Sequence, residues 1–76
     1  MRAHYQDPAE IRRRRIEAGL SQEALGARAG YSKGHVSLVE RGISGASAQA
    51  LARLAAALGC EVSDLMADPE QAPAPA

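Results

Sequence analysis

The chain has 76 residues, enough for one compact domain and too few for two. Its single cysteine, Cys60, excludes an internal disulfide, and no cluster of Cys and His has the spacing of a zinc site, so helix packing alone must stabilise the fold. Nine basic residues balance nine acidic ones, but residues 1–58 hold all nine basic and only five acidic residues. That part therefore carries a net charge of +4, and residues 59–76 carry −4, so the N-terminal part is suited to an anionic partner.

Membrane insertion and export are not expected. No segment approaches the roughly 20 apolar residues of a membrane-spanning helix. The basic N-terminus also lacks the apolar stretch of a signal peptide. We therefore expect a cytoplasmic protein.

The sequence has almost no strand-forming patterns, which indicates an all-α fold. Its core is expected to be aliphatic and rich in alanine.

The first helix is predicted from residue 8 to about residue 18. Asp7 is a suitable N-cap, and Pro8 suits the first helical position, where a backbone N–H is not needed. Gly19 ends the helix because glycine adopts the left-handed conformation without strain. The four arginines at residues 12–15 are compatible with a solvated helix face or with a phosphate-binding surface.

Two short helices follow, each with a serine N-cap. Ser21 is predicted to cap a helix over residues 22–29, and Ser32 one over residues 33–41. Only residues 30–32 separate them, which is too short for an antiparallel hairpin and typical of a helix-turn-helix.

The close crossing of these two helices requires a small residue at their contact, and Gly26 lies at the expected place. Five residues agree with such a contact within one short stretch of chain: Leu25, Gly26, Gly30, Val36 and Val39. A single glycine is weak evidence, but a set of this kind is a strong signal for the motif.

Ser47 is predicted to cap a fourth helix that ends at Gly59. Its buried stripe follows the helical repeat and consists of Leu51, Leu54, Ala55 and Leu58. A fifth helix of one or two turns is expected to begin at Ser63. The domain would then span residues 8–67, between an N-terminal arm (residues 1–7) and a disordered tail rich in Pro and Ala (residues 68–76).

Three segments resemble the lambda-repressor-like, Cro-like (XRE-type) helix-turn-helix family: GLSQEAL (residues 19–25), GYS (residues 30–32) and VSLVERG (residues 36–42). The similarity runs from about residue 11 to residue 65. It implies a compact five-helix domain that binds DNA. It also implies that Arg15 and Glu40 form a partly buried salt bridge between the first and third helices.

The resemblance further implies which residues contact DNA. Four residues lie at positions that face base edges in the major groove: Lys33, Gly34, Ser37 and Leu38. Residues at positions that contact phosphates are Gln22, Ser32, His35, Arg41, Ser44 and Ser47. For Ser47 a plain N-cap is an equally good interpretation, and His35 is also compatible with a solvated surface residue.

Two positions depart from the family pattern. Many members have leucine where this chain has Arg14, and a proline where it has Gly45 and Ala46. The fold tolerates both changes, but a loop with a Gly-Ala step is expected to be more mobile than one fixed by proline.

The predicted function is that of a transcriptional regulator that binds double-stranded DNA, and we expect it to be a repressor. A homodimer would bind an inverted repeat with half-sites about 34–36 Å apart. Its expected interface is the end of the fourth helix with Cys60, Val62, Leu65 and Met66. Cys60 itself is interpreted as a small buried hydrophobic residue rather than a redox sensor.

Two other classes of function compete with this one. An enzyme is not expected, because the sequence offers no catalytic constellation, no metal ligands and no cofactor site. An antitoxin-like module that uses the same fold to bind a protein partner is the alternative. In that case the acidic C-terminal segment would fold on the partner.

Overall fold

The computed structural model describes residues 6–66, which form four α-helices and one short 3₁₀-helix. In chain order these are α1 (Pro8–Glu17), α2 (Gln22–Ala29), α3 (Lys33–Glu40), α4 (Ala48–Leu58) and the 3₁₀-helix η1 (Val62–Leu65). Strand pairing within residues 6–66 is limited to an isolated bridge between Gln6 and Met66. Most of the predicted arm, and the predicted tail at residues 68–76, lie outside the described residues. None of the described helices is long and apolar enough to cross a membrane.

The helices begin where the sequence predicts, because each N-cap is a local interaction. The Ser21 hydroxyl accepts a hydrogen bond from the Ala24 N–H at 3.0 Å, and the Ser32 hydroxyl accepts one from the His35 N–H at 3.1 Å. Ser47 caps α4 in the same way. These bonds satisfy donors that a helix leaves open in its first turn.

The fifth element differs from the prediction, since η1 is a single 3₁₀ turn that begins at Val62 and not an α-helix from Ser63. The Asp64 carboxylate caps it by accepting from the Glu61 N–H at 2.9 Å. The turn cannot extend because Met66 is extended and pairs with Gln6.

The core is aliphatic, as predicted, and it draws on every helix. Its largest fully buried side chains are Ile11, Leu25, Val36, Val39, Leu51, Leu54 and Leu65. The presence of Leu65 in this list corrects the expected dimer surface, because a residue buried within its own domain cannot meet a second copy. Cys60, Val62 and Met66 are half-buried against the core.

Gly26 brings α2 and α3 into close contact. A Cβ added to this buried residue would meet the Tyr31 carbonyl oxygen well inside van der Waals distance, and it would also crowd Ser32. The Gly26 carbonyl in turn accepts hydrogen bonds from the N–H groups of Gly30 and Tyr31, both at 2.7 Å. The turn of the helix-turn-helix therefore folds directly over a position where a side chain would force the backbone to shift.

Candidate nucleic-acid interface

A buried ion pair holds α3 against α1. The guanidinium of Arg15 donates to the two carboxylate oxygens of Glu40, from Nε at 2.6 Å and from Nη2 at 3.1 Å. The side chains are 12% and 1% exposed. Arg15 also donates to the Leu20 carbonyl at 2.8 Å, and Gln22 donates to Glu40 at 3.2 Å. The buried charge of Glu40 is thus fully engaged, and it joins α1, α2 and α3 at one point.

The other arginines of α1 face outward. Arg13 pairs with Glu10 and with Glu17, the second contact at 2.6 Å. Arg14 donates to Glu10 at 2.8 Å and lies 3.9 Å from Asp64 on η1. Hydrogen bonds from Arg13, and then from Arg14, hold the pKa of Glu10 below its ordinary value against the opposing effect of burial. Arg14 therefore places its guanidinium between Glu10 on α1 and Asp64 on η1.

The outer face of α3 carries the residues predicted to contact bases. Lys33 and Gly34 are exposed, and Ser37 and Leu38 are half-buried beside them. Within residues 6–66 Lys33 makes no ion pair, so its ammonium group is available to a partner. A Cβ at Gly34 would find only the Ser32 hydroxyl, 3.9 Å away, so this surface is open.

His35 is less exposed than its sequence context predicts. Its ring stacks on Tyr31 with centroids 4.9 Å apart, and the guanidinium of Arg53 lies 5.9 Å from the centroid of the same tyrosine. The Nε2 atom of His35 is shielded from solvent and has no hydrogen-bond partner. His35 is therefore half-buried and not fully solvated, because the Tyr31 ring stacks against it, a contact that the sequence does not reveal.

The predicted phosphate contacts lie at helix ends and in the loop between α3 and α4 (residues 41–47, the α3–α4 loop). Gln22 is the first residue of α2, and Ser32 and Ser47 are the N-caps of α3 and α4. Helix N-termini favour anions because their N–H groups and dipoles point outward. Arg41 is the exposed C-cap of α3 without an ion pair inside residues 6–66, and Ser44 is half-buried in the loop.

Sequence reasoning missed Gln6, which fastens this loop. Its side-chain amide donates to the Ser44 carbonyl at 3.4 Å and accepts from the Ala46 N–H at 3.0 Å. Ala46 is buried. No local pattern pairs Gln6 with a residue 40 positions later, so only the tertiary fold could reveal the contact.

The described residues give little support for a metal site or for a reactive cysteine. Residues 6–66 contain no group of three His, Cys, Asp or Glu side chains that could hold a metal ion. Burial raises the pKa of the Cys60 thiol, which lowers the fraction of reactive thiolate at neutral pH. That agrees with Cys60 as a packing residue.

Comparison with solved structures identifies several close matches. The restriction-modification controller protein C.AhdI from Aeromonas hydrophila is 36% identical, with a TM-score of 0.76 over 78% of this chain and 89% of that one. The P22 c2 repressor protein, solved in complex with synthetic operator 9T, is 32% identical with a TM-score of 0.74 over 78% and 89%.

SinR, described as the master regulator for biofilm formation and solved in complex with DNA, is 31% identical, with a TM-score of 0.74 over 79% of this chain and 100% of that one. SinR is also similar in its complex with the SinI protein. A comparison with curated protein sequences gave no match.

The helix-turn-helix family model matches residues 11–65, which contain α2, α3 and the turn between them. The family and the fold are those of DNA-binding transcription regulators and not those of enzymes. The chain belongs to the lambda-repressor-like helix-turn-helix family.

Proposed function

We propose that the chain is a sequence-specific repressor that inserts α3 into the major groove of double-stranded DNA. The observation that carries this proposal is the division of α3 into two faces. Val36, Val39 and Glu40 are buried, whereas Lys33 and Gly34 are exposed at the helix start, and Lys33 forms no ion pair within residues 6–66. A helix anchored on one side and open on the other is the arrangement that groove recognition requires.

Base recognition is assigned to four residues of the outer face of α3. Lys33 would donate to guanine O6 or N7, and Ser37 would donate to or accept from a base edge. Leu38 has only an apolar contact to offer, of the kind that a thymine methyl group accepts. Gly34 has no side chain to read a base, so its contribution would be a close approach of the helix backbone.

Phosphate contacts are assigned to residues around that face: Gln22, Ser32, His35, Arg41, Ser44 and Ser47. Arg41 is the strongest candidate, since it is exposed and charged. Gln22 would use its backbone N–H at the start of α2, because its side chain already donates to Glu40. The shielding of Nε2 in His35 leaves the other ring nitrogen for such a contact.

A homodimer on an inverted repeat completes the proposal, because one helix of this size recognises few bases. The half-buried residues Cys60, Val62 and Met66 remain available for its interface. Sedimentation of the chain with and without DNA tests this part. A 1:1 complex on a DNA containing both half-sites would contradict it.

Binding of a protein partner is the second candidate function. It is supported by the similar SinR protein, whose structure is also known in complex with the SinI protein. The two functions predict different results with the purified chain. A regulator retards DNA by itself in a gel shift. A module that serves only a protein complex does so only when its partner is present.

The decisive experiment selects genomic fragments bound by the purified chain and then compares two variants on the enriched site. Lys33→Ala should relax the preference at one base pair by about 1–3 kcal/mol, because it removes a base contact. Arg41→Ala removes the same charge and should weaken binding to all sequences alike. An equal loss on every sequence for Lys33→Ala would contradict the base assignment, and the absence of any enriched site would contradict the proposed function.

A further inference from the structure

The side chain of Gln6 spans the α3–α4 loop at Gly45. Its amide nitrogen donates to the carbonyl of Ser44, and its amide oxygen accepts from the N–H of Ala46. The same oxygen would lie 3.8 Å from a Cβ on Gly45. A primary amide thus pairs with the two peptide groups that flank this glycine, as a neighbouring strand would.

Gln6 is itself held in place by its backbone. It forms the bridge with Met66, and the N–H of the next residue, Asp7, donates to the Leu65 carbonyl at 2.9 Å. Asp7 also caps α1 through the N–H of Glu10. The side chain therefore extends from a fixed point, so its ordering costs less conformational entropy than that of a glutamine in a mobile segment.

The α3–α4 loop has few other means of holding its shape. The N–H groups of Ile43 and Ser44 both donate to the Leu38 carbonyl, at 3.0 and 3.2 Å, but these bonds fix only the first half. Gly45 has no side chain, and Ala46 has a single methyl group. Without Gln6, the N–H of buried Ala46 would lose its acceptor, and an unsatisfied buried donor is costly.

We propose that Gln6 is a positioning residue for DNA binding: it fixes the α3–α4 loop in the conformation that presents Ser44 and Ser47 to the phosphate backbone. This inference rests on the proposed function. The expectation of a mobile loop at Gly45 and Ala46 is revised accordingly.

Gln6→Met tests the inference, since methionine keeps the length of the side chain and makes neither hydrogen bond. Ile16→Gly is the matched control, because it also weakens the fold without a change of charge, but Ile16 is exposed near the end of α1 that is farther from the loop. DNA affinity is measured well below the melting temperature of each variant, so that both are folded. We expect Gln6→Met to lower affinity about fivefold, as the loss of one net hydrogen bond would, and Ile16→Gly to leave it unchanged.

Two further measurements separate positioning from stability. Hydrogen exchange at the Ala46 amide should be slow in the wild type and faster in Gln6→Met. Ser44→Ala should reduce affinity in the wild-type background but have little effect when Gln6 is already replaced, because the misplaced loop no longer delivers that serine to phosphate.

The possible failures are distinguishable. If the wild type binds DNA and Gln6→Met binds equally well, the inference is overturned and the proposed function stands. The inference is also overturned if Ser44→Ala has the same effect in both backgrounds, or if the Ala46 amide is unprotected in the wild type. A wild type that binds no DNA overturns the proposed function and this inference together.

Discussion

Helices α1 and α3 differ in a way that the charge of the sequence does not suggest. α1 carries four consecutive arginines, yet three of them are engaged within the domain: Arg13 with Glu10 and Glu17, Arg14 with Glu10, and Arg15 with Glu40. α3 has one lysine, and neither Lys33 nor the following Arg41 forms an ion pair within residues 6–66. The density of positive charge therefore does not locate a surface for an anion.

The difference follows from where the acidic residues lie. In α1, Glu10 and Glu17 lie three or four residues from Arg13, at the spacing that places opposite charges side by side on a helix. In α3 the only carboxylate, Glu40, is turned into the domain, where Arg15 neutralises it. The less charged helix thus keeps its outer cations available, and the following predictions test this contrast.

The largest expected effect is the loss of the ion pair between Arg15, the arginine of α1 that points into the domain, and Glu40. Glu40→Ala strands the charge of Arg15 and should destabilise the domain by about 3–5 kcal/mol, a large share of the stability of a small protein. Glu17→Ala removes an exposed partner of Arg13 and should hardly change the unfolding midpoint. Urea or thermal unfolding measures both. Similar midpoints for the two variants would show that the inward pair has no special role.

The next comparison is between substitutions at two glycines, one buried between α2 and α3 and one on the exposed face of α3. Gly26→Ala places a methyl group against the Tyr31 carbonyl and should cost about 1–3 kcal/mol, because backbone cannot yield as a side chain does. Gly34→Ala has room and should stabilise α3 by at most about 1 kcal/mol through helix propensity. If α3 approaches DNA closely at Gly34, the second variant is more stable but binds DNA less tightly. A stabilising Gly26→Ala would refute the close contact.

An arginine on α1 and the arginine that caps the end of α3 should differ in their effect on the salt dependence of DNA binding. Arg41→Ala should weaken binding and reduce the slope of log affinity against log salt by about one, since one phosphate contact is lost. Arg13→Ala removes the same charge from a residue engaged with Glu10 and Glu17, and it should leave the slope unchanged. A change of slope for Arg13→Ala alone would reverse the contrast between the helices.

The smallest expected effect concerns Glu10. Because the pKa of Glu10 lies below its ordinary value of 4.5 in the folded chain, its ion pairs stabilise the fold above that value. The stabilisation is lost as the pH falls through the lowered pKa. Glu10→Gln lacks this contribution, so the wild type should melt slightly higher at about pH 7, and the two curves should converge in acid. A difference that stays constant as the pH falls well below 4.5 would show that the ion pairs do not cause it.

The local structure was largely predictable because its signals lie within a few residues of one another. The serine caps and the glycines that end the helices fix the bounds of α2 and α4, and the bounds of α1 and α3 differ from prediction by a single residue. Gly26 was also predictable, since the short turn after α2 demands a small residue at that contact. Each of these signals acts through the backbone geometry of its own segment.

What the sequence by itself determined was the helical order, the helix-turn-helix and its two faces, together with the resemblance that pairs Arg15 with Glu40. Only the tertiary structure decided that Gln6 anchors the α3–α4 loop, that Leu65 belongs to the core, and that Arg14 joins α1 to η1. These contacts join segments that are far apart in the chain. Their geometry depends on how all the helices pack together, and no repeat or spacing within one segment encodes it.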